Sequence, residues 1–152
     1  MVDTAKVDLL LVPTGKSLEK DPPLPPDSNN VDHYKCYGIT VAKAPKGGEP
    51  LPKFTPFDVK LEDQFGPMTV TVTKPTLLCN PVKKERDGEG AEEIKNPANH
   101  LVCYQITRSK AVPSQSPFKR IRVFLRNQFG PEVLDARAMG GLCAPSLKDP
   151  LP

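Results

Sequence analysis

The sequence predicts an all-β protein: two pseudo-repeated small antiparallel β units, sandwich-like and disulfide-stapled, with an extra N-terminal strand. Three observations carry this expectation. Proline is abundant, with 19 residues against 10 glycines, and proline stops helices while suiting turns and strand edges. Apolar and polar residues alternate over short runs, which is the period of a half-buried strand. The chain also repeats itself once, with its cysteines at matching places.

The first element lies in residues 1–18, which hold the run Val7-Asp8-Leu9-Leu10-Leu11-Val12. On an extended strand Ala5, Val7, Leu9 and Leu11 share one face, and Lys6, Asp8, Leu10 and Val12 share the other. An apolar strand of this kind aggregates if left uncovered, so it reads as a donor strand or an edge strand. Residues 19–30 form a Pro-rich linker containing Pro22-Pro23-Leu24-Pro25-Pro26. At about 3.1 Å per residue in polyproline form, the stretch from Pro13 to Asn30 reaches roughly 50 Å. Three homes are open to the strand: its own sheet, the sheet of a neighbouring copy, or no fixed place.

Unit one spans 31–84 and unit two spans 100–152, with a charged linker at 85–99. His33-Tyr34-Lys35-Cys36-Tyr37-Gly38-Ile39-Thr40 returns as His100-Leu101-Val102-Cys103-Tyr104-Gln105-Ile106-Thr107, 67 residues later. Gln64-Phe65-Gly66-Pro67 returns as Gln128-Phe129-Gly130-Pro131, and Leu78-Cys79-Asn80-Pro81 as Leu142-Cys143-Ala144-Pro145, both 64 residues later. The three-residue difference falls in the loop between Thr40 and Phe54, where length changes are cheap.

Within each unit a strand carrying Cys-Tyr comes first, then a hairpin, then a short strand carrying Leu-Cys. In unit one the hairpin strands are Phe57-Asp58-Val59-Lys60-Leu61 and Met68-Thr69-Val70-Thr71-Val72-Thr73, around Phe65-Gly66-Pro67. In unit two they are Ile121-Arg122-Val123-Phe124-Leu125 and Val133-Leu134-Asp135-Ala136, around Phe129-Gly130-Pro131. Gln64 and Gln128 are expected to bond the backbone of their turns. In the linker, Ala91-Glu92-Glu93-Ile94 suits one helical turn.

The pairs His33-x-x-Cys36 and His100-x-x-Cys103 raise zinc, whose usual ligands are Cys and His. Residues three apart on a strand point to opposite faces, and no Cys-x-x-Cys occurs. Two disulfides are therefore the stronger reading of Cys36, Cys79, Cys103 and Cys143, and no metal is expected. Four cysteines allow three pairings. Cys36–Cys79 with Cys103–Cys143 staples each unit, whereas Cys79–Cys103 with Cys36–Cys143 locks the units together. Either arrangement implies an oxidising compartment. The histidines read as surface or strand-entry residues.

No catalytic signature is present: no G-x-S-x-G, no Gly-rich phosphate loop and no His-Glu-x-x-His. The expectation is a protein that is not an enzyme and takes no cofactor. Tyr37 and Tyr104 are candidate lining for a ligand groove, since aromatic faces suit sugars and peptides. Net charge is +3, too mild for a nucleic-acid binder, and no apolar run is long enough to span a membrane. Asn-x-Ser/Thr is absent, while Thr14, Ser17 and Ser28 offer hydroxyls for O-linked glycan. Export is expected, with any signal peptide already removed.

The order "HYKCY … DQFG … LLCNPVKK", then "HLVCY … NQFG … GLCAPSLK", resembles a family of uncharacterised secreted or surface domains from environmental bacteria. That resemblance covers about residues 31–148 and implies export, an all-β fold and two units. The organisation of residues 1–30 looks like that of pilus-like subunits built by donor-strand complementation, in which one subunit's N-terminal strand completes another's sheet. The functional expectation is a structural subunit of an extracellular fibre, polymerising with itself head to tail by strand exchange. The alternative is a monomeric cell-surface β module that binds glycan or protein.

Overall fold

The computed structural model describes residues 2–23, 31–86 and 88–147; for strand residues 2–8, 86 and 89–91 the description covers the backbone. Eleven strands are present and no helix occurs among the described residues: β1 (Val2–Leu11), β2 (Gly15–Ser17), β3 (His33–Val41), β4 (Phe57–Asp63), β5 (Gly66–Val82), β6 (Lys84–Arg86), β7 (Glu89–Glu92), β8 (His100–Arg108), β9 (Ile121–Asn127), β10 (Gly130–Ala136) and β11 (Leu142–Ser146). The all-β expectation holds. Every pairing is antiparallel.

The main sheet runs β1-β3-β5-β8-β11, and β4 pairs with the first half of β5. Strands of both sequence units therefore lie side by side in one sheet. A second sheet, β10-β9-β2, holds the hairpin of unit two, and a two-stranded ladder joins β6 to β7. That ladder corrects the expected helical turn, because Ala91 and Glu92 belong to β7.

The central strand is β5, one strand of 17 residues where the sequence suggested two short ones. Its Val and Thr residues favour the pleated conformation. Proline breaks its ladder without ending it. Register shifts against β8 fall between Val72 and Lys74 and between Pro75 and Leu77. The two extra residues, Thr73 and Thr76, donate their hydroxyls to the carbonyls of Gln105 (3.0 Å) and Cys103 (3.1 Å). A side-chain donor thus takes over where bulging, and a proline without an N–H, thin out the backbone bonds.

The core is small. Among the described residues the buried apolar side chains are Tyr34, Cys36, Ile39, Ala42, Val70, Val72, Cys79, Cys103 and Val123. Tyr34, Cys36, Cys79 and Cys103 form one cluster, with Leu11, Leu77 and Leu101 packed against it. Polar side chains brace the other end of β5. The Gln115 amide accepts from Thr69 N–H (2.9 Å) and donates to Thr69 C=O (2.8 Å), so it substitutes for a strand neighbour. Asp58 accepts from Thr71 Oγ1 (2.6 Å) and from the buried Ser109 hydroxyl, and these bonds hold its carboxyl below the usual range.

Candidate functional site

The N-terminal arm, residues 2–17, is seated on its own chain at two points. β1 pairs with β3 as the outer strand of the main sheet, and β2 pairs with β9 in the second sheet. The long connection to β3 has a local explanation, since the chain crosses to the second sheet before it returns. The stretch from Pro13 onward is therefore not one uninterrupted leash. Lys16 lies over the Phe65 ring at 4.3 Å, and Phe65 meets Phe118 edge-on, so residues at β2 reach the unit-one hairpin as well.

The seating of β1 is irregular. Val7 stands opposite Tyr37 and Leu9 opposite Cys36, with register shifts on both sides of Val7. Tyr37 and Cys36 are successive residues that point to opposite faces. Simple alternation through Ala5, Val7, Leu9 and Leu11 is thus broken at the backbone, while the side chains of Ala5 and Val7 lie outside the described residues. Leu11 packs on the cysteine cluster and Val12 is half-buried. Leu9 and Leu10 each remain 43% exposed, so β1 covers the sheet edge without being covered itself.

The cysteines form Cys36–Cys79 and Cys103–Cys143, each pair directly opposite on neighbouring strands. Each unit is stapled within itself, which decides between the sequence-level pairings. Both bridges lie on one sheet face, and Cys79 Sγ is 4.0 Å from Cys103 Sγ. Neither sulfur carries a hydrogen in a disulfide, so this is packing rather than a hydrogen bond. All four sulfurs are bonded, and no group of metal-ligating side chains occurs among the described residues.

Tyr37 and Tyr104 lie on the opposite face. Tyr37 stands beside Leu78, Leu78 beside Val102, and Tyr104 two residues beyond Val102 and opposite Leu142. The tyrosines are two strand spacings across and two residues along the sheet from each other, about 12 Å, with the half-buried Leu78 and Val102 between them. Lys35 sits 5.3 Å above the Tyr37 ring, and Phe54 stacks against both Tyr104 (5.4 Å) and Phe57 (5.8 Å).

The two histidines each open a strand, β3 or β8, as expected, but both are buried, which corrects only the surface half of their reading. His100 Nδ1 is 3.0 Å from Asn80 Oδ1. His33 Nε2 lies 3.5 Å from Glu92 Oε2, at the outer limit of a hydrogen bond, with Lys95 Nζ 3.9 Å from the same oxygen. Burial and then the Lys84 charge push the His33 pKa below its ordinary value, against the pull of Glu92. Next to it, burial opposes ionisation of Asp32. The N–H groups of Lys95 and Asn96 and the Asn96 amide outweigh burial and hold that carboxyl low. Asp32 thereby fastens the end of the charged linker to the start of β3, a role the sequence did not signal.

The hairpin turns are closed by other residues than expected. Asp63 Oδ1 accepts from Phe65 N–H and Asn127 Oδ1 from Phe129 N–H, both at 2.8 Å. Gln128 instead accepts from Lys84. Thr14 Oγ1 donates to Val12 C=O and Ser17 Oγ accepts from Glu19 N–H, while Ser28 lies outside the described residues.

Among the described residues no helix is long and apolar enough to cross a membrane. Two disulfides are compatible with an oxidising, extracellular setting. Comparison with family models, with curated proteins and with solved structures returned no match.

Proposed function

We propose that the chain is a structural subunit of an extracellular fibre, assembled by exchange of the N-terminal arm between copies. The observation that carries this reading is the seating of the arm. It is held by two antiparallel ladders at sheet edges and joined to β3 by the 15 residues between Ser17 and His33. A contact made of strand pairing is remade unchanged when the arm comes from another molecule, which is the basis of domain swapping. Fifteen residues span at most about 50 Å, enough to reach an adjacent domain. Because each copy gives its arm to the next, the contact is heterologous and need not close.

The physics also sets the condition for assembly. A tethered arm competes at an effective concentration in the millimolar range, so the self-seated form dominates in dilute solution. Crowded subunits, or subunits folding side by side, favour exchange. Sedimentation velocity from dilute to concentrated protein tests this. The full chain is expected to form a rising series of oligomers, and a chain lacking residues 1–17 none. A synthetic peptide of residues 2–17 is expected to bind that shortened chain. A full chain that stays monomeric at every concentration, including after refolding at high concentration, contradicts the reading.

A second reading has its own support. Tyr37 and Tyr104 share one sheet face with apolar residues between them, which suits a monomeric module binding glycan or protein. A glycan array probed with monomer and with a Tyr37→Ala/Tyr104→Ala variant separates the two readings.

A further inference from the structure

The four cysteines differ sharply in exposure. Cys36 and Cys79 are fully buried and Cys103 is 3% exposed. Cys143 alone is exposed, on β11 at the outer edge of the main sheet. The exposed cysteine is thus bonded to a buried one, whose sulfur lies 4.0 Å from a sulfur of the second bridge. We propose that Cys143 is a thiol-exchange site for a low-molecular-weight thiol, and that exchange there is relayed inward to Cys36.

The relay has two displacements. A thiolate from the small thiol attacks Sγ of the exposed Cys143, and the Cys103–Cys143 bond breaks with its electron pair leaving on Cys103. The product is a mixed disulfide at Cys143 and a thiolate at Cys103. Burial in apolar surroundings disfavours that thiolate, and the neighbouring Cys79 sulfur is an electrophile held at close range. Cys103 Sγ attacks Cys79 Sγ, the Cys36–Cys79 bond breaks, and the electron pair leaves on Cys36, which takes up a proton. One thiol is consumed and one cysteine thiol appears. Two disulfides remain throughout, so no oxidant is needed. Closing the gap requires about 2 Å of sulfur movement, within reach of side-chain rotation once Cys103 is released.

The result is a changed cross-link pattern. Cys79–Cys103 joins the two sequence units across β5 and β8, where each was stapled separately. The freed thiol is on Cys36, which stands opposite Leu9 of the edge strand β1. A disulfide that solvent cannot reach becomes reducible through one that it can. This inference stands on the sulfur geometry alone and is independent of the fibre reading.

Folded full-length protein treated with glutathione near pH 8, quenched with an alkylating agent and mapped by peptide mass spectrometry tests it. The expected map has glutathione on Cys143, alkylation on Cys36 and a Cys79–Cys103 cross-link. Glutathione on Cys143 with alkylation on Cys103 and an intact Cys36–Cys79 bridge overturns the relay. Absence of any reaction in folded protein overturns the site itself. In a Cys103→Ser/Cys143→Ser variant, opening of Cys36–Cys79 is expected to slow at least about tenfold. An unchanged rate in a folded variant also overturns the relay.

Discussion

The two sequence units share a motif and part ways in how it is used. In each, two cysteines face each other on paired strands, an Asp or Asn closes a hairpin, and a glycine with positive φ follows, Gly66 at 106° and Gly130 at 114°. In unit one the hairpin stays in the main sheet, because β5 runs unbroken from the turn to the cysteine. In unit two strand β10 ends at Ala136 and β11 begins at Leu142, and the hairpin joins β2 in a separate sheet. The difference lies in five residues. Thr73-Lys74-Pro75-Thr76-Leu77 carries the strand through two bulges, while Arg137-Ala138-Met139-Gly140-Gly141 does not. A glycine pair has no side chain to pack and loses the most freedom on ordering. A Cβ on Gly141 would lie 2.9 Å from the Tyr104 carbonyl oxygen, so the backbone comes too close to β8 for a larger residue.

Burial follows from that divergence. Val70 in β5 is fully buried, whereas its counterpart Leu134 in β10 is 48% exposed and its neighbour Val133 is 59% exposed. The lesson is that the repeated motif specifies a staple and a turn locally. Whether the hairpin adds to the core depends on the connecting residues, which do not repeat.

The largest effect is expected from the disulfides. The two bridges close loops of nearly equal length, with sequence separations of 43 and 40, so each contributes about 4 kcal/mol by loop entropy. Replacing Cys36 and Cys79 by alanine trims two members of the buried cluster, and replacing Cys103 and Cys143 only one. The first replacement should lower the melting temperature further than the second. Equal losses would show that the units are energetically alike. Val70→Ala is expected to cost about 2 kcal/mol against less than about 0.5 for Leu134→Ala, read from urea unfolding. Gly141→Val should cost roughly 1–3 kcal/mol by crowding β8. A neutral result there would mean that proximity to Tyr104 does not explain the break between β10 and β11.

The smallest effect concerns pH and His33. The folded-state pKa of His33 lies below its ordinary 6.5, so the native state binds fewer protons than the unfolded state. The contribution of neutral His33 is present above pH 6.5 and is lost as pH falls below it. Lys84 and Lys95 oppose its protonation and Glu92 favours it. Urea unfolding at pH 5 and pH 8 should show a smaller pH difference in His33→Gln than in the parent protein.

How much of this was legible in the sequence follows from which interactions are local. Alternation marked β4 and the first half of β5, the repeat carried that hairpin over to β9 and β10, and the repeated Cys-Tyr and Leu-Cys segments marked β3, β8 and β11. The continuity of β5 was hidden because Pro75 reads as a terminator. The hydroxyls of Thr73 and Thr76 bond across to β8 at the two bulges that flank it, and the ladder resumes beyond. The two-point seating of the arm was equally hidden, since Gly15-Lys16-Ser17 has no strand pattern and pairs because β9 offers an edge. Asp32 gave no signal, as its partners lie more than 60 residues away. For the candidate site, the apolar character of β1 was plain, but its broken register was not, because bulges respond to the partner strand.

The central claim, that the arm passes between copies, is tested most directly by crossing cysteines between two differently labelled proteins. Leu10 and Lys35 stand opposite each other on β1 and β3. One protein carries Leu10→Cys, and an isotopically heavier one carries Lys35→Cys. The two are unfolded and refolded together at high concentration and then oxidised mildly. Arm exchange predicts a 10–35 disulfide joining light and heavy chains, absent when each protein is refolded alone and mixed afterwards in dilute solution. A 10–35 disulfide that forms readily in a single chain carrying both cysteines, but never between co-refolded chains, would contradict arm exchange and leave β1 as a strand of its own subunit.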